Sequence, residues 1–247
     1  MPCRVGKIFY GYAWKYVGEV LKQVIHQIIQ ICHGQLPVLV GASWGGLCSI
    51  ILEGTYQLSK AVILVDITHE IEAAGAQRVV GFMQSKPNGF ATLEEAADAV
   101  AMYQPHRKKP RDLSGLKKNL KRSEDGSRYV WKWDTNFLNF EWHAKETEQQ
   151  EELKKLAREI EDQMRRSLSN LSRVPVLLIR AQHSDIVSDS TVQKFLQILP
   201  HADFVTVENA RHMVAGDSND EFTQTVLQYI DRKVFKKQNL SDVKSKL

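Results

Sequence analysis

Long apolar runs are missing from this chain of 247 residues. None approaches the roughly 18 residues that cross a bilayer, and the opening MPCRVGKIFYGY has no apolar segment of the secretory kind. Neither a membrane span nor export is expected. Cysteine is scarce, and Cys3, Cys32 and Cys48 are odd in number and lack metal-ligand spacing. That excludes a disulfide framework or a thiolate metal site and indicates free thiols in a reducing or neutral compartment. Strong charge of one sign is absent too. A net charge of +4 argues against a dedicated nucleic-acid binder, although HRKKPRDLSGLKKNLKR concentrates positive charge. There are no internal repeats and no low-complexity linkers. What remains is 43% hydrophobic and 25% charged, enough core for one large domain or two small ones.

The apolar residues that are present alternate between two patterns. From Trp14 to Cys32, Val17, Val20, Leu21, Val24, Ile25, Ile28 and Cys32 recur at three and four, which predicts an amphipathic helix stopped by Gly34 and Pro37. PVLVGAS then reads as a short strand, and GLCSIILEG as a helix. Further apolar runs follow at 61–67 (AVILVDI), 174–182 (VPVLLIRAQ) and 203–210 (DFVTVENA), before a closing helix with Phe222, Val226, Leu227, Ile230 and Val234 on one face. Strands apolar on both faces and separated by helices predict a parallel sheet covered on both sides.

The hundred or so residues between the second and third runs are too long for a connection and must form a substructure. TLEEAADAVAMYQP opens with a capping box, Thr92 with Glu95, and stops before Pro105. ETEQQEELKKLAREIEDQMRRSL places Leu153, Leu156, Ile160, Met164 and Leu168 on one face of a long charged helix. A helical insertion of this kind reads as a cap over the strand ends, where ligands bind in such sheets. The expected division is a core of 1–67 and 173–236, a cap of 68–172, and a tail of 237–247.

The strand at VLVGASWGG ends in Gly41-x-Ser43-x-Gly45. A serine on a sharp strand-to-helix turn is strained, and residues two before and two after must be small for strand and helix to approach. Serine is a poor nucleophile at its own pKa and needs a base, which in turn needs a carboxylate to orient it. Of eight histidines, His212 follows the fourth strand directly, whereas His26, His33, His69, His106 and His143 lie in helices or in the insertion. Asp185, shortly after the third strand, is the preferred acid. Asp66, at the end of the second strand, is its rival.

The order Ser43, Asp185, His212 is that of the α/β-hydrolases. From about Trp14 onward, GASWGG, AVILVDI, VPVLLIRAQHSDIVS and ARHMVAGDSNDEF resemble the peroxidase-like or epoxide-hydrolase-like members of that family, and the insertion resembles their cap. The resemblance implies Ser43 as nucleophile, His212 as base and Asp185 as orienter, and it excludes the epoxide-hydrolase mechanism proper, whose nucleophile is an aspartate. It implies an α/β fold of partial α/β-hydrolase type, with about four assignable parallel strands flanked by helices and a helical cap.

The chain departs from the family at the front, where further strands and a His-Gly loop that donates one oxyanion hydrogen bond have no counterpart. The main-chain N–H of Trp44 is left as the assignable oxyanion donor. The strand of Ser43 becomes an apolar edge open to self-association unless RVGKIFYG pairs there. Lys108, Lys109, Arg111, Lys117, Lys118, Lys121 and Arg122 read as a solvated face in preference to a site for an anionic substrate such as a coenzyme A ester. Trp131, Trp133, Phe137, Phe140 and Trp142 either line an apolar pocket or form the insertion's own core. Ser245-Lys246-Leu247 matches the tripeptide read by the peroxisomal import receptor, so a peroxisomal location is expected, with a cytoplasmic one as the alternative. The expected function is hydrolysis of an ester, thioester or related acyl bond of a small apolar molecule, with no metal or organic cofactor. The alternatives are a catalytically weak or inactive hydrolase-like binding protein and a cofactor-free perhydrolase.

Overall fold

A computed structural model describes residues 5–133 and 147–235, and leaves undescribed the side chains of 5–16, 147–154, 156 and 157. Cys3, Phe137, Phe140, Trp142, His143, Ser245, Lys246 and Leu247, and the side chains of Leu153 and Leu156, lie outside the described residues. The chain divides into two compact units, Met1–Gly75 with His143–Leu247, and Ala76–Trp142.

The first unit begins with helix α1 (Val5–Ile31), followed by strand β1 (Val38–Ala42), helix α2 (Trp44–Tyr56) and strand β2 (Ala61–Val65). The start of α1 rules out one of the alternatives left open for RVGKIFYG. Val5–Gly11 are helical and do not pair with β1. Once nucleated, a helix without proline extends at little cost, so the turns from Trp14 onward carry the segment with them. The apolar stripe of α1 is only partly covered: Ile25 is buried, but Val20, Val24 and Ile28 are exposed.

Helix α3 (Ala73–Gln84) leads into the second unit, which holds helix α4 (Leu93–Tyr103) and a short hairpin of β3 (Leu120–Arg122) and β4 (Tyr129–Trp131). The first unit resumes with helix α5 (Thr147–Asn170), β5 (Val176–Ala181), α6 (Asp189–Ile198), β6 (Asp203–Val207), a single turn α7 (Val214–Asp217) and α8 (Asn219–Ile230). Four strands form one parallel sheet in the order β1-β2-β5-β6. Its two central strands carry the core. Every residue of β2 is buried, as are Val176 to Ile179 of β5. Each valine, leucine or isoleucine among them contributes about 1.5–3 kcal/mol by leaving water. Against one face of the sheet, Ala210, Val214, Tyr229 and Val234 pack on Ile63, Val65, Leu177, Ile179 and Val207. Leu227, expected on the buried face of α8, is instead exposed.

The boundary of the insertion also differs from expectation. Helix α5 packs with the sheet unit, burying Met164 and Leu168. At Gly54 of α2 a Cβ would stand 2.6 Å from Ser167 Cα, so glycine lets the two helices touch backbone to backbone. Asn170 Nδ2 donates to the Gly54 carbonyl at 2.8 Å. Residues 68–75 likewise belong to the sheet unit.

In the second unit, the Thr92 side chain accepts from Glu95 N–H at 3.1 Å, capping α4 as its spacing predicts. Phe90, Ala96, Leu120 and Trp131 make this unit's own core, with Trp133 stacked on Trp131 at 4.2 Å between ring centroids. Those two tryptophans are therefore core residues. Lys108, Lys109, Arg111, Lys117, Lys118, Lys121 and Arg122 of the basic stretch are all exposed. Among the described residues no helix is long and apolar enough to cross a membrane.

Candidate active site

Ser43 stands between β1 and α2 with φ +50° and ψ −122°, a left-handed conformation that costs about 1–3 kcal/mol for a residue with a Cβ. The close approach that sustains it lies at Gly41 and Gly46. A Cβ at Gly41 would meet Gly46 Cα at 2.6 Å and Gly45 O at 2.4 Å, and one at Gly46 would meet Ile67 Cγ2 at 2.3 Å. Gly45, expected to be the second obligatory small residue, has open space where its Cβ would be. The helix turns 100° per residue, so the face that meets the strand is set by rotation, and here it falls one residue later than the motif suggests. Ser43 N–H donates to Val65 O at 3.1 Å, tying the turn to β2. Trp44 is the first residue of α2, so its N–H stands at the positive end of the helix directly beside Ser43.

His212 lies in the loop between β6 and α7, with its side chain 7% exposed. Its Nε2 is 2.9 Å from Ser43 Oγ and its Nδ1 is 2.9 Å from Asp66 Oδ2. A carboxylate only accepts, so the ring proton sits on Nδ1 and the Nε2 lone pair faces the serine hydroxyl. That is the arrangement in which imidazole takes a proton from the hydroxyl.

The carboxylate that meets His212 is that of Asp66, where that of Asp185 was expected. Both ring nitrogens of His212 are taken, Nδ1 by Asp66. Asp66 is the first residue past β2, turned by a φ of +50° and fully buried. Its burial is offset by donors: Ala181 N–H reaches Oδ1 at 2.9 Å, and Ser184 Oγ and His212 Nδ1 both reach Oδ2, the former at 2.7 Å. Asp185 is half-buried one residue beyond Ser184, and its carbonyl oxygen is packed against Gly75. Ser184 is the residue that pattern reading overlooked. The only trace of it in the sequence is a hydroxyl beside a candidate aspartate in AQHSD.

The loop after Asp66 also carries His69 and Glu70. Burial pushes the His69 imidazole below its ordinary value, with Glu70 opposing the shift. Glu70 is held below the usual carboxylate range by its hydrogen bond from Lys194, helped by His69 and Arg165. Of the thiols, Cys32 is exposed, and burial raises Cys48 to about 11. Among the described residues no group of three or more histidine, cysteine, aspartate or glutamate side chains could hold a metal ion.

The fold has counterparts among solved structures. E-2-(acetamidomethylene)succinate hydrolase is similar over 87% of this chain and 74% of its own, with 17% identity and a TM-score of 0.68. An alpha/beta hydrolase of Novosphingobium aromaticivorans is similar over 92% and 74%, with 21% identity and a TM-score of 0.65. An esterase of M. tuberculosis is similar over 87% and 69%, with 20% identity and a TM-score of 0.62. At such identities these likenesses speak for the fold alone. No relative was found among curated protein sequences. The sequence model of the alpha/beta hydrolase fold family matches residues 15–218, from the middle of α1 through Ser43, Asp66 and His212 to the start of α8, and the chain belongs to that family.

Proposed function

We propose that this chain is a serine hydrolase cleaving an ester, thioester or related acyl bond of a small, largely apolar molecule. One observation carries the reading: His212 bridges Ser43 Oγ and Asp66 Oδ2 at 2.9 Å on each side. Ser43 Oγ attacks the acyl carbon as its proton passes to His212 Nε2, and Asp66 stabilises the imidazolium that forms. Negative charge then develops on the acyl oxygen, and the Trp44 N–H at the start of α2 donates to it. Collapse of this intermediate expels the leaving group, which takes the proton from His212. Water deprotonated by His212 then releases the acyl group and restores Ser43. An esterase among the structural neighbours is in keeping with acyl chemistry.

A fluorophosphonate probe tests the reading directly. It is expected to label the chain once, at Ser43, and Ser43→Ala is expected to abolish labelling. Labelling that survives the substitution would place the nucleophile elsewhere, and a wild-type chain that takes no probe would reject the hydrolase reading.

A further inference from the structure

We propose that Ser184 is a positioning residue for this reaction, holding the Asp66 carboxylate so that Oδ2 meets His212 Nδ1; the inference rests on the hydrolase reading. The geometry leaves the Ser184 hydroxyl a single orientation. A hydroxyl has one proton and two lone pairs. Ser184 Oγ accepts from Ile186 N–H at 3.1 Å and from Val187 N–H at 2.9 Å. Its proton is thereby directed to Asp66 Oδ2, 2.7 Å away. Ala181 N–H fixes the other carboxylate oxygen from the end of β5. The carboxylate plane is set by these two donors, both from the strand and loop next to β2, before His212 is considered.

Sharing Oδ2 has a chemical consequence. Two donors on one oxygen compete, because each draws off charge that the other would use. The Ser184 bond is strongest while His212 is neutral and weakens once His212 carries a proton and takes its own share of that charge. Ser184 therefore favours the neutral imidazole, the form that can accept the Ser43 proton. A hydroxyl that merely closed the 181–187 loop would fix the backbone through Ile186 and Val187 without acting on His212.

The 247-residue chain is compared with Ser184→Ala and Ser184→Thr by the fluorophosphonate labelling rate at Ser43 across pH, by the ring titration of His212 in NMR spectra, and by circular dichroism. Loss of one hydrogen bond to a carboxylate is expected to slow labelling about tenfold at neutral pH. The His212 titration should move to higher pH in Ser184→Ala, and Ser184→Thr should restore both readouts. In an Asp66→Asn background, Ser184→Ala should cause no further shift. The proposal is overturned if the titration stays at its wild-type position, even if the rate falls, since the hydroxyl is then a loop support only. It is equally overturned if the shift persists without the Asp66 carboxylate. If Ser184→Ala does not fold, Ser184→Cys, a weaker donor of similar shape, is read the same way with a smaller shift. A titration that responds to Ser184 in a chain whose Ser43 takes no probe bears out the positioning and overturns the hydrolase reading alone.

Discussion

The segments that follow β2 and β5 leave neighbouring parallel strands at the same sheet edge, and each carries an aspartate. Their contributions differ. After β2 the chain turns at once, so that Asp66, still tied by its N–H to Ile179 O at 2.7 Å, projects its carboxylate at His212. After β5 three residues intervene before Asp185, and what the end of β5 and this loop present to the same carboxylate are donors, Ala181 N–H and the Ser184 hydroxyl. One segment supplies the charge and the other supplies the hydrogen bonds that make its burial tolerable. A buried carboxylate is placed most firmly by the residue nearest a strand end, where the sheet itself fixes the backbone. A loop residue needs additional contacts to reach the same precision.

The largest effect expected from this difference is on rate. On the proposed mechanism, Asp66→Asn should lower turnover of an activated ester by about ten-thousandfold, as the same change does in a serine-protease triad through the wrong imidazole tautomer. Asp185→Asn should stay within about tenfold of wild type. The opposite ranking would return the acid to the second segment. Next in size is the packing of that segment. Gly75→Ala would set a Cβ 2.6 Å from the Asp185 carbonyl carbon, with the oxygen nearer still, and overpacking of this kind costs about 1–3 kcal/mol. A lowered thermal midpoint checks it, and an unchanged one would show the segment to be yielding.

Two smaller effects belong to the first segment. His69 is buried and its folded-state value lies below the ordinary 6.5, so the unfolded chain binds the proton first as pH falls. Stability should therefore decline as pH drops through 6.5, and His69→Leu should flatten that part of the urea-midpoint profile. Glu70 has the opposite arrangement, a carboxylate stabilised as an anion by Lys194 and Arg165. Its contribution is present above 4.5 and is lost as pH falls below that. Because these pairs are partly exposed, Glu70→Gln should cost only about 0.2–1 kcal/mol at neutral pH. The difference from wild type should shrink as pH falls below 4.5 and vanish once the folded-state carboxyl itself is protonated, where both chains are neutral at this position. A difference that persists there would mean that Glu70 acts by packing and not by charge.

Much of the sheet could be read from the chain. The runs at 61–67 and 174–182 are apolar throughout because β2 and β5 are covered on both faces, and that pattern survives any detail of tertiary packing. Ser43 and His212 were legible for a related reason: each stands in a short segment directly joined to a strand, so the strand's placement is also theirs. The extent of α1 was not legible, since nothing in RVGKIFYG favours strand over helix. The allegiance of α5 was hidden for another reason: its apolar face would suit a partner in either unit, and only the contact at Gly54 decides between them.

Periodicity and punctuation thus determined the parallel sheet, the elbow and the pairing of Ser43 with a histidine after the last strand, because all three depend on local backbone preference and on which faces exclude water. The choice of Asp66 over Asp185, the role of Gly46 where Gly45 was expected, and the hydroxyl of Ser184 on the shared carboxylate oxygen were decided only by tertiary structure. Each depends on the separation of side chains brought together from distant parts of the chain, and a difference of one residue in a turn, invisible in composition or pattern, moves a hydrogen-bonding atom by more than the length of the bond.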